Sequence, residues 1–309
     1  MAKTIAILGV PSQAGQDEDG ADRGPQALRN AGLIGKLEAL GYVVTDWGNI
    51  RTATENGSIG SEPTSLKNLA SVVKVSQELY ARLGCIFKQG SAFPIVLGGD
   101  HSISIGSVAA AAAGSDNLGV IWLDAHPDLN TIETTPSGRI HGMPLAASLG
   151  LGHPKLVNIG GFYPKVKPEN VVIIGARSFD WGEKQLIREY GIKLYPMADI
   201  RRLGIRKVIR ESIKYLAGRA DKVHLSFDID VLDPAAAPGV GTPCPNGMTV
   251  PECAAAMLEL SRADIITSMD IVELNPRLDQ NQQTASAAVA LAAQLFHKDA
   301  GRAQIASFA

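Results

Sequence analysis

Along the chain, short and nearly uninterrupted apolar runs alternate with stretches whose apolar residues recur at helical spacing. Eight runs read as strands, over residues 3–10, 42–49, 93–99, 118–126, 170–177, 192–197, 222–230 and 264–274. Several are apolar almost throughout, the pattern of parallel strands buried on both faces. Between them, helical spacing predicts helices over 24–40, 65–84, 104–114, 183–191, 205–218, 250–263 and 284–298. Alternating β and α elements imply a mainly parallel, roughly eight-stranded sheet with helices on both faces. No linker, repeat or low-complexity tract interrupts the pattern, so residues 1–309 read as a single domain.

Sheets of this kind bind ligands outside the carboxyl ends of their strands. Four of the runs end in acids or histidines: "GGDH", "DAHPD", "DID" and "VEL". If the strands extend that far, alternation places Asp124, His126 and Asp128 on one side, with Pro127 closing the ladder. Asp228 and Asp230 repeat the alternation on a second strand. Gly98 and Gly99 lack the rest of a phosphate-loop signature and read as positions of close backbone approach.

His101, Asp124, His126, Asp128, Asp228 and Asp230 form one candidate set. Four aspartates bring four negative charges into a poorly solvated cleft, and two divalent cations would cancel them. Six ligands exceed the three that one catalytic zinc takes. Oxygen-rich donors with two imidazoles and no thiolate favour Mn²⁺-like ions, with Fe, Co, Ni and Zn left open. Two close ions lower the pKa of a shared water, giving hydroxide near neutral pH and making hydrolysis the natural reaction.

Composition narrows the class. The chain is 45% hydrophobic and 19% charged, with a formal charge of -2 and three cysteines at no metal-type spacing. That balance supports a large core and a reducing, cytoplasmic setting. It gives no patch for nucleic acid and no segment long enough to span a membrane.

The segments "GGDHSISIGS", "DAHPDLNT", "SGRIHGMP", "SFDIDVLDP" and "MDIVELNP" resemble the ureohydrolase family, and within it the arginases. The early "GVPSQAGQDEDGADRGPQALRNAGL" and the later "IGARSFDWGE" match as well. The resemblance spans nearly the whole chain, in order. It implies a three-layer α/β/α fold, two Mn²⁺ per subunit, and hydrolysis of the guanidinium group of L-arginine to L-ornithine and urea. It also implies a homo-oligomer, a trimer or hexamer. The six residues above fall on the family's metal ligands, with Asp128 also counted as catalytic. His141 matches the proton-transfer histidine and Glu273 the glutamate that holds the guanidinium.

Asn130 and Ser137 match positions that bind a substrate α-carboxylate, with Thr135 as a third candidate. Asp180 matches the acid that meets the α-amino group, with Glu183 nearby. The plainer reading of Asn130 and Ser137 is turn building. Val231, Arg139 and Asn246 depart from the usual arginase pattern, and "DVLDP" leans toward agmatinase or a 4-guanidinobutyrate type of guanidino-acid ureohydrolase. Bulk at Val231, beside Asp230, is expected to alter the pocket. A single-zinc deacetylase on a related fold is disfavoured by the additional ligands His101, Asp128 and Asp230. His153, His224 and His297 read as structural or solvated, and Trp122 and Phe227 as core.

Overall fold

A computed structural model of the chain describes residues 4–52, 66–90 and 92–297. Lys3, Ser65 and Lys298, at the edges of expected elements, lie outside these. The strands are β1 (Thr4–Gly9), β2 (Val43–Asn49), β3 (Ala92–Leu97), β4 (Leu118–Leu123), β5 (Val171–Ile174), β6 (Lys193–Tyr195), β7 (Lys222–Asp228) and β8 (Ile266–Val272). They form one eight-stranded sheet in the order β2-β1-β3-β8-β7-β4-β5-β6. Every pairing is parallel, as the apolar runs predict.

Helices cover both faces. On one lie α1 (Gly24–Asn30), α2 (Leu33–Ala39), α9 (Ile205–Ala217), α10 (Val250–Ala263) and α11 (Gln283–Leu295), packed on Ile5, Ile7, Leu225, Phe227 and Met269. On the other lie α3 (Leu69–Lys88), α4 (Ser104–Ala113) and α5 (Pro144–Ser148), packed on Leu8, Val96, Val120 and Trp122. The expected helix over 24–40 is two, because Gly32 adopts a left-handed φ of 89° at the start of α2. Such a conformation is open to glycine and ends a helical run.

Short α6 (Pro154–Val157) and α8 (Met197–Leu203) carry too few turns for a periodic signal. Between them lies α7 (Trp181–Glu189), opened by a capping box of Asp180 and Glu183. No helix among the described residues is long and apolar enough to cross a membrane.

The strands with chemistry at their ends, β3, β8, β7 and β4, are contiguous at the centre of the sheet. Next to them, the loop after β1 lies against the end of β3. Gly99 permits this approach: a Cβ there would lie 1.8 Å from the Ser12 carbonyl oxygen. Asp100 N–H donates to Ser12 O at 2.9 Å.

Candidate metal centre

The acids and histidines converge, but not by strand alternation. β4 stops at Leu123 and β7 at Asp228, so the alternating positions lie beyond the ladder. Each strand instead ends in an aspartate whose carboxylate turns back on the backbone two residues on. Asp124 Oδ1 accepts from His126 N–H at 2.7 Å, and Asp228 Oδ1 from Asp230 N–H at 2.8 Å. Asp100 Oδ1 accepts from Ser102 N–H at 2.9 Å at the end of β3. These Asx turns are a habit of aspartate outside regular structure. They steer the chain so that Asp128, at a left-handed φ of 53°, swings back toward the others.

The result is two groups sharing Asp124. His101, Asp124 and Asp228 have ligand atoms mutually within 4.8 Å, as do Asp124, His126 and Asp230. His101 Nδ1 lies 3.1 Å from Asp124 Oδ2, 3.0 Å from Asp128 Oδ2 and 2.9 Å from Asp228 Oδ2. His126 Nδ1 lies 3.0 Å from Asp230 Oδ2 and 3.5 Å from Asp124 Oδ1. The two oxygens of Asp124 therefore face different histidines, as a bridging carboxylate requires.

Charge balance calls for cations. Burial, then the neighbouring Asp124 charge, pushes the Asp128 carboxyl up to about 6. Burial and the Asp230 and Asp124 charges likewise hold Asp228 well above the ordinary carboxylate range. His101 Nδ1 and Asp128 Oδ2 are buried without a hydrogen-bond partner. Unpartnered buried donor atoms facing one another, nitrogen and oxygen with no sulfur, suit bound divalent ions.

Behind His101 runs a polar network. Its Nε2 lies 2.8 Å from Ser226 Oγ. Ser226 Oγ donates to Asp270 Oδ1 at 2.7 Å. Ser104 and Ser107 of α4 donate to Asp270 Oδ2 at 2.8 and 2.5 Å, and His224 Nε2 lies 3.1 Å from the same oxygen. With the Ser226 proton spent on Asp270, its oxygen accepts from His101, fixing Nε2 as protonated and Nδ1 as the free donor. Trp122 stacks on the His101 ring at 4.3 Å and donates Nε1–H to Asp124 Oδ2 at 2.9 Å. Trp122 is thus core and also the floor of the site. His224 is buried, not solvated.

Sequence reasoning missed Ser226 and Asp270. The signal was present: in register across β7 and β8, His224 pairs with Ser268 and Ser226 with Asp270, a polar stripe in two apolar strands. It also missed Arg177, whose guanidinium donates to the carbonyls of Asp230, Val231, Leu232 and Cys244 and so braces the Asp230 turn.

Glu273 follows β8 at a φ of 66° and is buried. Its Oε1 accepts from His101 N–H at 2.7 Å and lies 3.1 Å from His141 Nδ1. Against burial, which disfavours its charge, the Glu273 carboxylate raises the His141 imidazole above its ordinary range. Burial likewise opposes the Glu273 charge, and His141 overcomes it, holding the carboxyl below its ordinary range.

The remaining candidates line the loops beside Asp128. Asn130 Nδ2 donates to Asp180 Oδ2 at 2.7 Å, and Asn130 Oδ1 accepts from Thr134 Oγ1 at 3.1 Å. Thr135 Oγ1 accepts from Gly138 N–H at 3.0 Å and Ser137 Oγ from Arg139 N–H at 3.3 Å. The turn reading is therefore met, and each hydroxyl keeps its proton to donate. Glu183 braces the same loop: its oxygens accept from Leu129 N–H at 3.0 Å and Asp180 N–H at 2.8 Å, one bond on each. Burial pushes its carboxyl up to about 7. Val231 is fully buried, packed over Gly175 within the core. Asn246 lies in an exposed turn at φ 64°.

The model of the arginase family matches residues 3–297. Arginase from Bacillus caldovelox is 52% identical over 294 residues, covering 95% of this chain and 98% of that relative. Arginase from Bacillus subtilis (strain 168) is 52% identical over 298 residues, covering 96% and 99%. The solved native structure of Bacillus caldovelox arginase aligns with a TM-score of 0.93 at 52% identity, covering 96% of this chain and 99% of that one.

Proposed function

The chain belongs to the arginase family, and from that premise we propose that it hydrolyses the guanidinium group of L-arginine to L-ornithine and urea, using two divalent ions, with manganese the favoured metal. The observation that carries this reading is the pair of buried groups joined through Asp124, with Glu273 and His141 beside them. His101, Asp128 and Asp228 would hold one ion, His126 and Asp230 the other, and Asp124 both. Ions held there supply Lewis-acid activation of water at neutral pH.

The protein's own groups account for the rest. The Glu273 carboxylate attracts the planar cation by charge and accepts a charge-assisted hydrogen bond from it. His141 shares a proton with Glu273 at Nδ1, which leaves Nε2 as the atom that protonates the departing amine. Thr135 and Ser137 keep hydroxyl protons for an α-carboxylate, and Asn130 keeps the second proton of its amide. Asp180, held by Asn130, faces the α-ammonium. Glu183 fixes the turn between Leu129 and Asp180 and keeps one acceptor direction on each oxygen for the same ammonium.

Similarity to relatives named arginase favours arginine over agmatine or 4-guanidinobutyrate. A single sheet supports a single domain over 1–309, and the family resemblance supports a trimer or hexamer. The deciding experiment is urea release from arginine, agmatine and 4-guanidinobutyrate after manganese loading. Turnover of agmatine without arginine would reject the substrate. One ion per chain in a fully active preparation would reject the paired-ion site.

A further inference from the structure

Gln16 sits in the loop after β1 and is 5% exposed. Its Nε2 donates to Glu273 Oε2 at 3.2 Å. An ionised carboxylate only accepts, so this contact fixes which way the amide points. Gln16 Oε1 is then left buried with no hydrogen-bond partner. The loop is not free to relieve it. Gly15 N–H donates to Asp100 Oδ2 at 3.1 Å, and His141 N–H donates to Gly15 O at 3.0 Å.

Glu273 is meanwhile short of acceptor capacity. Each carboxylate oxygen offers about two acceptor directions. On Oε1 both are taken, by His101 N–H and His141 Nδ1. On Oε2 one is taken by Gln16, so one direction remains. A guanidinium asks for two parallel acceptors in a fork. Glu273 alone does not supply them in this arrangement. The unpartnered Gln16 oxygen stands beside it, and residue 241, a glycine, packs against both without a side chain to crowd them. A Cβ at Gly241 would lie 2.6 Å from Gln16 Oε1 and 3.7 Å from Glu273 Oε2.

We propose that Gln16 Oε1 and Glu273 Oε2 form the two-point seat for the substrate guanidinium, with the glycine at 241 sparing both oxygens a side chain. Gln16 is then a specificity-determining substrate contact as well as the group that orients Glu273. The inference rests on the reading of Glu273 as the guanidinium acceptor.

The test uses the manganese-loaded enzyme and Gln16→Leu, an apolar side chain one atom shorter that lacks both polar atoms. Loss of a hydrogen bond to a charged group predicts a KM for arginine about tenfold higher, with kcat changed far less. Competitive inhibition by guanidinium chloride weakens by a similar factor. Inhibition by ornithine, which has no guanidinium, stays within about twofold, whereas general damage to the site weakens both inhibitors together.

KM for arginine and guanidinium inhibition both within about twofold of wild type would overturn the proposal, as would parallel weakening of both inhibitors. If Gln16→Leu does not fold, Gly241→Ala fills the seat from the other side and must give the same split. Glu273→Gln separates the premise: unchanged guanidinium inhibition in that variant sinks the reading of Glu273, whatever Gln16→Leu does.

Discussion

His101 and Asp270 are joined through one hydroxyl: Ser226 Oγ accepts from His101 Nε2–H at 2.8 Å and donates its own proton to Asp270 at 2.7 Å. All three side chains are buried. The chain of bonds holds the imidazole with Nδ1 aimed at the carboxylates. Ser226→Ala breaks it and strands a buried N–H. The expected outcome is metal affinity ~10–100-fold weaker at the His101 subsite, with the His126 subsite retained. Calorimetric titration of the metal-free protein reads both. Unchanged affinity at the first subsite would count against the role given to Ser226.

Asp128 separates charge from backbone. Its left-handed φ of 53° suits asparagine better than alanine, so Asp128→Asn isolates the charge. With metal loaded, turnover should fall by ~100-fold or more. Without metal, the variant should melt at a higher temperature than the wild type, because a carboxyl pushed up to about 6 is removed from a crowded acid cluster. Its gain in melting temperature on adding manganese should shrink. Metal-free melting at or below the wild-type value would reject this account of the site's charge.

Lys165 gives a pH signature away from the metal groups. The residue is 6% exposed, and its ammonium donates to the carbonyls of Val157 and Phe162 and lies 4.2 Å from the Phe162 ring centroid. Burial lowers it to about 8 from the ordinary 10.5. A depressed pKa means the unfolded chain binds the proton more readily between those values. Stability should therefore rise as pH climbs from about 8 toward 10.5, by at most ~3 kcal/mol. Lys165→Met should flatten that rise in urea unfolding at the two pH limits. An equally steep rise in the variant would assign the effect to other groups.

Gly99→Ala tests the loop that carries Gln16. The added methyl would meet Ser12 O at 1.8 Å, a backbone atom that cannot swing away. Overpacking of this kind costs ~1–3 kcal/mol, and moving loop 12–16 should also raise KM for arginine. Differential scanning calorimetry and steady-state kinetics on one preparation check both. An unchanged melting temperature would show the loop to be more yielding than the bonds from Gly99 N–H to Val10 O and from Asp100 N–H to Ser12 O suggest.

The four chemistry-bearing strand ends were legible because apolar runs rarely stop on acids and histidines without cause. The geometric reason given for them was not. Alternation presumes the ladder continues, whereas Asp124 and Asp228 each bend the chain through a side-chain bond to a backbone N–H. Such turns leave no period to read. Glu183 shows a role that spacing does not reveal: an acid near the right motif accepts from two backbone donors, which only its burial beside Leu129 makes visible.

Local chemistry by itself determined the parallel sheet, the ligand types and the need for positive charge, since strand patterning and unbalanced aspartates are written along the chain. Tertiary structure alone decided which acid is shared, which histidine nitrogen is free, and that Gln16 meets Glu273. Those facts depend on contacts between residues up to 257 positions apart, set when β1, β3, β8, β7 and β4 fall side by side.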